Sequence, residues 1–268
     1  MPHDDLNPNA FYGGGLAVES YDLFAAEVGK LTGDIDFYLN LARDRGGKVL
    51  ELACGTGRIL TPLVEAGFEV TGVDISRAML DLADRRLQAL RPSAWGRARL
   101  ICSPMQAFET QDRFDLVLIP ARSLQHLIDP IDQRKTLERV WRCLNPGGML
   151  VIDMFDARLE ACVGEPPPPP PREVVDPVSG RRFRRTCLGR HTNPFEQTTG
   201  ERMRIEELDA QGGVLGSHET SWTLRWSTRQ EMAYLLELTG FEALSVYSDF
   251  ERSPAAYGGE QIWVARAV

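Results

Sequence analysis

The chain of 268 residues is 43% hydrophobic and 25% charged, enough to bury a full core; length allows one large domain or two, and the composition reads as one with an elaboration. Its formal net charge of −8 argues against a broad nucleic-acid surface, which needs clustered Lys and Arg, and favours a small-molecule partner. No stretch is apolar for long enough to span a bilayer. The five cysteines, Cys54, Cys102, Cys143, Cys162 and Cys187, form no CxxC pair and accompany no signal peptide, so reduced thiols in the cytoplasm are expected.

In chain order, Met1 to Ala10 reads as a polar surface segment with turn signals at Pro2 and Pro8. Two short helices follow between Leu16 and Arg45, the second opening near Asp34 with Ile35, Tyr38 and Leu41 on one face. An apolar strand near 48 to 53 then enters the turn Ala53-Cys54-Gly55-Thr56-Gly57. A helix runs to about Ala66, and a second strand near 69 to 73 leads to Asp74. Gly55 and Gly57 let the backbone pass close to a ligand and tolerate positive φ. Asp74 stands at the carboxyl end of its strand, where a carboxylate accepts the hydroxyl hydrogens of a ribose. Ile59 and Leu60 are bulky where a dinucleotide fingerprint wants a third small residue, which counts against a nicotinamide cofactor.

Ser76 is the expected N-cap of a helix reaching Leu90, with Met79, Leu82, Ala83 and Leu87 as its buried stripe. Strands around 99 to 102 and 115 to 119, a loop from Pro120 to His126 and a helix through Leu137 to Cys143 come next. The turn Asn145-Pro146-Gly147-Gly148 then launches a fifth strand. This alternation predicts an α/β fold with a parallel sheet and right-handed crossovers.

At Glu165 the character changes. Pro166 to Pro171 cannot donate hydrogen bonds and favour an extended connector. Beyond it, Arg181 to Cys187, Thr199 to Leu208 and Val214 to Trp226 read as strands of an antiparallel insertion, with Asp209 to Gly213 as a hairpin turn. Thr228 and Glu231 form a capping box for a helix that Leu235, Leu236 and Leu238 help to bury. A strand from Phe241 through Tyr247 and a last one from Gln261 to Ala265 complete the chain.

These motifs resemble the class I S-adenosylmethionine-dependent methyltransferases. The family's first motif is matched by Glu51 to Gly57, its second by Asp74, its fourth strand by Phe114 to Leu118 and its fifth by Leu144 to Ile152. Ala53 departs from a frequent glycine, and Ser103-Pro104-Met105-Gln106 stands where an acidic residue often reads the adenine amino group. The resemblance implies a Rossmann-like seven-stranded sheet, mostly parallel with an antiparallel last strand, to which the antiparallel β insertion is added. It implies S-adenosylmethionine as cofactor, held by Glu51, Ala53, Gly55, Gly57, Asp74, Ile75 and Met79, with Met105 and Gln106 at the adenine. Helices at the N-terminus cover the cofactor in that family, which makes Tyr12, Tyr21, Phe37 and Tyr38 candidates for its methionine end, Tyr21 foremost, with simple core packing as the alternative. The implied organisation is residues 1–45 as covering helices, 46–160 with 227–268 as the core, and 161–226 as a substrate lid.

Methyl transfer from a sulfonium is an in-line displacement with a neutral leaving group, so alignment and exclusion of water dominate. A hydroxyl acceptor needs a general base, whereas a neutral amine does not. Of the four histidines, His126 alone follows the fourth strand, and it is the candidate base, with a cap or a loop-internal hydrogen bond as its alternative role. Arg122 is a candidate for holding a carboxylate of cofactor or substrate. His218, Trp222, Leu224 and Trp226 share one parity, which makes His218, Trp222 and Trp226 candidates for a substrate wall, with packing onto the core as the alternative. Arg181, Arg182, Arg184 and Arg185 read as a solvated strand surface, or else as an anion site. No His, Cys and carboxylate set has metal-ligand spacing, so no catalytic metal is expected.

The function the resemblance implies is methyl transfer to a nitrogen or oxygen of a small-molecule acceptor. The alternatives are an NAD(P)-dependent oxidoreductase and a non-catalytic cofactor-binding protein that engages a protein or RNA. The acceptor and the oligomeric state, monomer or homodimer, stay open.

Overall fold

The computed structural model describes residues 12–26, 32–158, 160 and 167–268. The Met1 to Ala10 segment, Cys162, Glu165 and Pro166 lie outside the described residues. In chain order the elements are α1 (Gly15–Glu19), α2 (Tyr21–Ala26), α3 (Asp34–Arg45), β1 (Lys48–Leu52), α4 (Leu60–Glu65), β2 (Glu69–Asp74) and α5 (Arg77–Gln88). Then come β3 (Ala98–Cys102), β4 (Phe114–Ile119), α6 (Pro130–Cys143), β5 (Leu144–Phe155), β6 (Arg172–Val175) and β7 (Arg182–Asn193). The last are β8 (Thr198–Leu208), β9 (Val214–Arg225), α7 (Arg229–Leu238), β10 (Phe241–Tyr247) and β11 (Glu260–Ala267). Among the described residues no helix is long and apolar enough to cross a membrane.

The chain forms two compact units, Lys30–Ala157 with Trp226–Val268, and Met1–Gly29 with Arg158–Arg225. Helix α3, expected among the covering helices of residues 1–45, thus groups with the core.

The first unit is built on a seven-stranded sheet of order β10-β11-β5-β4-β1-β2-β3. Strands β1 to β5 pair in parallel, and β11 runs antiparallel to both β5 and β10. Alternation along each strand feeds two cores, as the two-residue period of a strand requires. Leu116 and Leu118 of β4 pack with Tyr38 and Leu41 of α3 and Leu60 and Leu63 of α4. Val117 and Ile119 pack with Leu137 and Val140 of α6 and Met232 and Leu236 of α7.

Local signals set the helix ends. Ser76 Oγ accepts from the Met79 amide at 3.1 Å, and the capping box of Thr228 and Glu231 forms at α7. Helix α6 opens at Pro130, ahead of the Leu137 stretch that periodicity marked, because Asp129 caps it by accepting from the Ile131 amide at 2.8 Å. Gln261 joins two distant stretches: its Nε2 donates to Asp156 Oδ1 at 2.7 Å and to the Ser227 carbonyl at 3.2 Å.

The second unit is an antiparallel meander of order β6-β7-β8-β9. One face carries Val174, Phe183, Met203 and Ile205 against Ala17 of α1 and Phe24 of α2. The single first helix expected from Leu16 is instead α1 and α2, divided at Ser20, whose Oγ donates to the Leu16 carbonyl at 2.6 Å. The short strand β6, directly after the prolines, was not expected. Trp226 lies one residue past the end of β9, so it does not share a strand face with Trp222 and Leu224.

The four arginines at the start of the insertion are occupied within this unit. Arg181 holds Glu207 and Glu19 at 2.7 Å each, Arg182 holds Glu173 at 3.1 Å and Arg184 holds Glu206 at 3.0 Å. Arg185 lies over the Phe24 ring, 4.8 Å from its centroid. Cross-strand neutralisation of this kind is the solvated-surface arrangement and not an anion cradle.

Candidate active site

The turn after β1 and the end of β2 are joined by one carboxylate. Asp74 Oδ2 accepts from the Gly55 amide and Oδ1 from the Ser76 amide, each at 2.8 Å. Burial raises the Asp74 pKa, with the amides of Ser76, Gly55 and Ile75 opposing. Both turn glycines have positive φ, 54° at Gly55 and 77° at Gly57. A Cβ on Gly57 would come within 3.1 Å of Ala83 on α5, whereas one on Gly55 would meet open space. Gly57 is therefore a packing requirement and Gly55 the residue that leaves a face clear. Ala53 adopts φ 56° in the same turn, and Arg86 of α5 braces it by donating to the Thr56 carbonyl at 3.1 Å.

Beside the turn lies Glu51 of β1, 2% exposed, whose Oε2 makes no hydrogen bond among the described residues. Burial pushes its carboxyl well above the usual range; Arg58 works against this, while Asp74 and Asp34 add to it. Arg58, just after Gly57, grips Asp34 at the start of α3. One turn along α3, the Tyr38 hydroxyl donates to Asp153 Oδ1 on β5 at 3.0 Å. Burial, and then the charges of Asp153, Asp34 and Glu51, hold Tyr38 well above the ordinary tyrosine range, so its hydroxyl is a standing donor.

The segment after β4 is tightly held. Ala121 and Arg122 are consecutive left-handed residues, φ 55° and 62°, and a 3₁₀ turn spans Ser123–His126. The Arg122 amide donates to Asp153 Oδ2 at 3.3 Å, and its guanidinium meets Glu260 of β11 at 2.6 and 3.3 Å. Arg122 is thus committed to an internal acid. Gln125 and Phe155 exchange hydrogen bonds in both directions, at 3.0 and 3.5 Å. His126 ends the turn half-buried, with its Nδ1 sealed from solvent, and burial pushes the imidazole down to about 4.

Around the end of β2, Ile75 is 43% exposed, Met79 is fully buried in α5, and Met105 and Gln106 are half-buried. The Gln106 carbonyl accepts from Arg139 at 2.7 Å. Tyr21, His218 and Trp222 belong to the other unit. Tyr21 stands edge-on to Tyr12, ring centroids 6.0 Å apart, and Trp222 packs on the same apolar cluster. His218 Nε2 and Thr220 Oγ1 are buried and unbonded among the described residues, as is Trp226 Nε1 in the first unit.

The expectation missed Asp153, Glu260, Asp34 and the hydroxyl of Tyr38. Asp153 had one visible signal: it is the lone acid in the apolar run from Leu150 to Met154.

Residues 49–148 match the family model described as a methyltransferase domain. Over this stretch the chain is similar to methyltransferase domains. The chain is 33% identical over 143 residues to the glycine/sarcosine N-methyltransferase of Aphanothece halophytica, covering 51% of each protein. It therefore spans about half the length of the curated relatives it matches. Its fold is similar to that of the CcbJ methyltransferase from Streptomyces caelestis, with TM-score 0.77 and 22% identity over 97% of this chain and 99% of that one. It is also similar to SAM-bound CalS10, an amino pentose methyltransferase from Micromonospora echinaspora, with TM-score 0.69 and 21% identity over the full length of both. The matched methyltransferase domain holds the glycine turn, Asp74, Arg122 and His126, while Asp34, Tyr38, Asp153 and Glu260 lie outside it.

Proposed function

We propose that the protein transfers the methyl group of S-adenosylmethionine to a nitrogen of a small-molecule acceptor in the cytoplasm. The observation that carries this reading is the Asp74 carboxylate bonded to the Gly55 amide inside the methyltransferase domain. The residues fit the cofactor: Gly55 leaves open space where a side chain would stand, Asp74 offers oxygens to a ribose, and exposed Ile75 offers an apolar face to adenine. Met105 and Gln106 would border the adenine, Ala53 and Gly57 shape the turn, Met79 backs it, and the unbonded oxygen of Glu51 suits an ammonium group. When bound, the cofactor supplies an electrophilic methyl carbon on a sulfonium.

The chain's own contribution is mainly alignment, which in favourable cases lowers a barrier by roughly 7 to 11 kcal/mol. His126 is uncharged at neutral pH because burial holds it at about 4. A neutral imidazole can accept a hydrogen bond from an amine and orient its lone pair. Two similar proteins named for amine-bearing acceptors, glycine or sarcosine in one and an amino pentose in the other, support that class. His218, Trp222 and Trp226 keep their proposed role as acceptor contacts. Tyr21 is proposed for the methionine end of the cofactor, and the insertion for the lid.

Calorimetric titration with S-adenosylhomocysteine, run beside NAD and NADP, tests the cofactor. Micromolar binding of S-adenosylhomocysteine alone supports the reading, and binding of a nicotinamide cofactor overturns it. A paired screen of amines and matched alcohols then tests the acceptor, turnover confined to alcohols being the result against the nitrogen assignment.

A further inference from the structure

The interior of β5 is apolar on both faces, with Leu150, Val151, Ile152 and Met154 all buried, yet Asp153 sits among them with no exposed surface. Burying a carboxylate costs several kcal/mol unless its partners are close, and an apolar side chain would serve the sheet better. Strand stability therefore does not explain this residue. Its contacts do: Tyr38 of α3 donates to one oxygen, and the amide of Arg122 donates to the other, with the Ala121 amide also directed at the carboxylate.

Those two amides belong to the strained part of the fold. An L-residue in the left-handed region costs about 1–2 kcal/mol, and two in succession persist only where their surroundings over-determine them. Successive amides in such a bend converge on one point and form a natural cradle for an anion. Here the cradled group is a carboxyl side chain of the protein itself. The second anchor is Glu260, 5% exposed, which receives the Arg122 guanidinium through both arms. The Phe155 ring lies beneath that guanidinium, 5.7 Å from its centre. One residue, Arg122, is thus pinned by its backbone to β5 and by its side chain to β11, and the 3₁₀ turn that carries His126 begins at the next residue.

We propose that Asp153 and Glu260 are positioning residues, which hold the strained Ala121–Arg122 bend so that His126 is presented in a fixed, sealed orientation for the transfer. The assignment of His126 to the transfer rests on the methyltransferase reading; the holding of the bend does not. The groups facing Asp153 are Tyr38 from α3, Arg122 from the bend and Glu260 from β11, so the arrangement holds two acids and one guanidinium.

Asp153→Asn is nearly isosteric but leaves one oxygen to serve both Tyr38 and the two amides, and so weakens the hold on the bend. Glu260→Gln weakens the other anchor. Each variant is compared with the parent in three measurements: S-adenosylhomocysteine affinity by calorimetry, amide exchange across residues 119–127, and NMR titration of the histidine rings, with His126→Gln supplying the assignment. The expected result is an affinity within twofold of the parent, exchange at least tenfold faster confined to that segment, and a His126 titration that climbs from about 4 to above 5. Unchanged exchange with His126 still titrating at about 4 in both variants overturns the proposal. If Asp153→Asn fails to fold, Glu260→Gln decides the question through Arg122. A parent that binds no S-adenosylhomocysteine defeats the methyltransferase reading, while exchange and titration still decide the positioning role.

Discussion

Arg58 holds Asp34 through both guanidinium arms, at 3.0 and 2.5 Å, and so ties the residue after the second turn glycine to the first residue of α3. Asp34 is buried and Arg58 is one-quarter exposed, which makes the pair asymmetric. Arg58→Met strands a buried carboxylate and should cost about 2–3 kcal/mol. Asp34→Asn leaves a guanidinium that can turn to water and also relieves repulsion on Glu51, so about 1 kcal/mol is expected. Urea denaturation ranks the two variants, and a larger loss for Asp34→Asn would contradict this account.

Ala53 occupies a left-handed conformation that glycine reaches freely. Replacing it with glycine removes a backbone cost of about 1–2 kcal/mol and adds part of that back through the freer unfolded chain. Ala53→Gly should therefore stabilise the protein by about 0.5–1 kcal/mol. A lower urea midpoint would mean that the Ala53 methyl contributes more by packing than its conformation costs.

Asp74 holds the turn and, under the proposed function, would also hold the ribose. Asp74→Ala should weaken S-adenosylhomocysteine binding about tenfold or more, because hydrogen bonds to a charged group are lost and the Gly55 amide is released. Asp74→Asn keeps one acceptor and should lose less. Calorimetry showing parental affinity in both variants would move the ribose site elsewhere.

His126→Ala should reduce turnover on the acceptor at least tenfold while leaving S-adenosylhomocysteine affinity within twofold. That split is the signature of a group whose contribution is confined to the transfer step. Equal loss in both parameters would make His126 a structural residue.

Stability should respond to pH in opposite directions at two residues. Burial raises Asp153 to about 7, so between roughly pH 4 and 7 the folded protein holds a proton that the unfolded chain has released, and stability falls as pH rises through that window. Burial lowers His126 to about 4, so between about 4 and 6.5 the unfolded chain holds the extra proton, and stability rises with pH. The two slopes partly cancel in the parent. Relative to the parent, Asp153→Asn should show stability rising with pH over this range and His126→Gln should show it falling, each by up to about 1.4 kcal/mol per pH unit. Urea midpoints at three pH values read the difference, and parallel profiles for all three proteins would refute it.

The residues readable from sequence are those whose partners are close along the chain. The glycine turn, Ser76 over its helix and the Thr228–Glu231 box span a few residues each, so spacing alone places them. Tyr38 and Asp153 are 115 residues apart, and Arg122 and Glu260 are 138 apart. Only the sheet order brings them together, and nothing local in the sequence encodes which acid meets which donor. Parity placed Trp222 on the face of His218, but parity carries no information about where a strand stops, and β9 ends at Arg225. Ser20 shows the converse: one hydroxyl bonded to the Leu16 carbonyl divides a stretch that apolar content reads as continuous.

Gln261 holds Asp156 and Ser227 on one amide, so the chain's excursion from Arg158 to Arg225 departs and returns at a single clasp. To the folding core such an excursion is a closed loop, and the entropy of closing a flexible loop grows only by about 0.6 kcal/mol for each doubling of its length. The excursion can therefore lengthen, shorten or change its surface while the strands bearing Asp74 and Asp153 keep their connections. A chain built this way can revise one of its two units without disturbing the strand connections of the other.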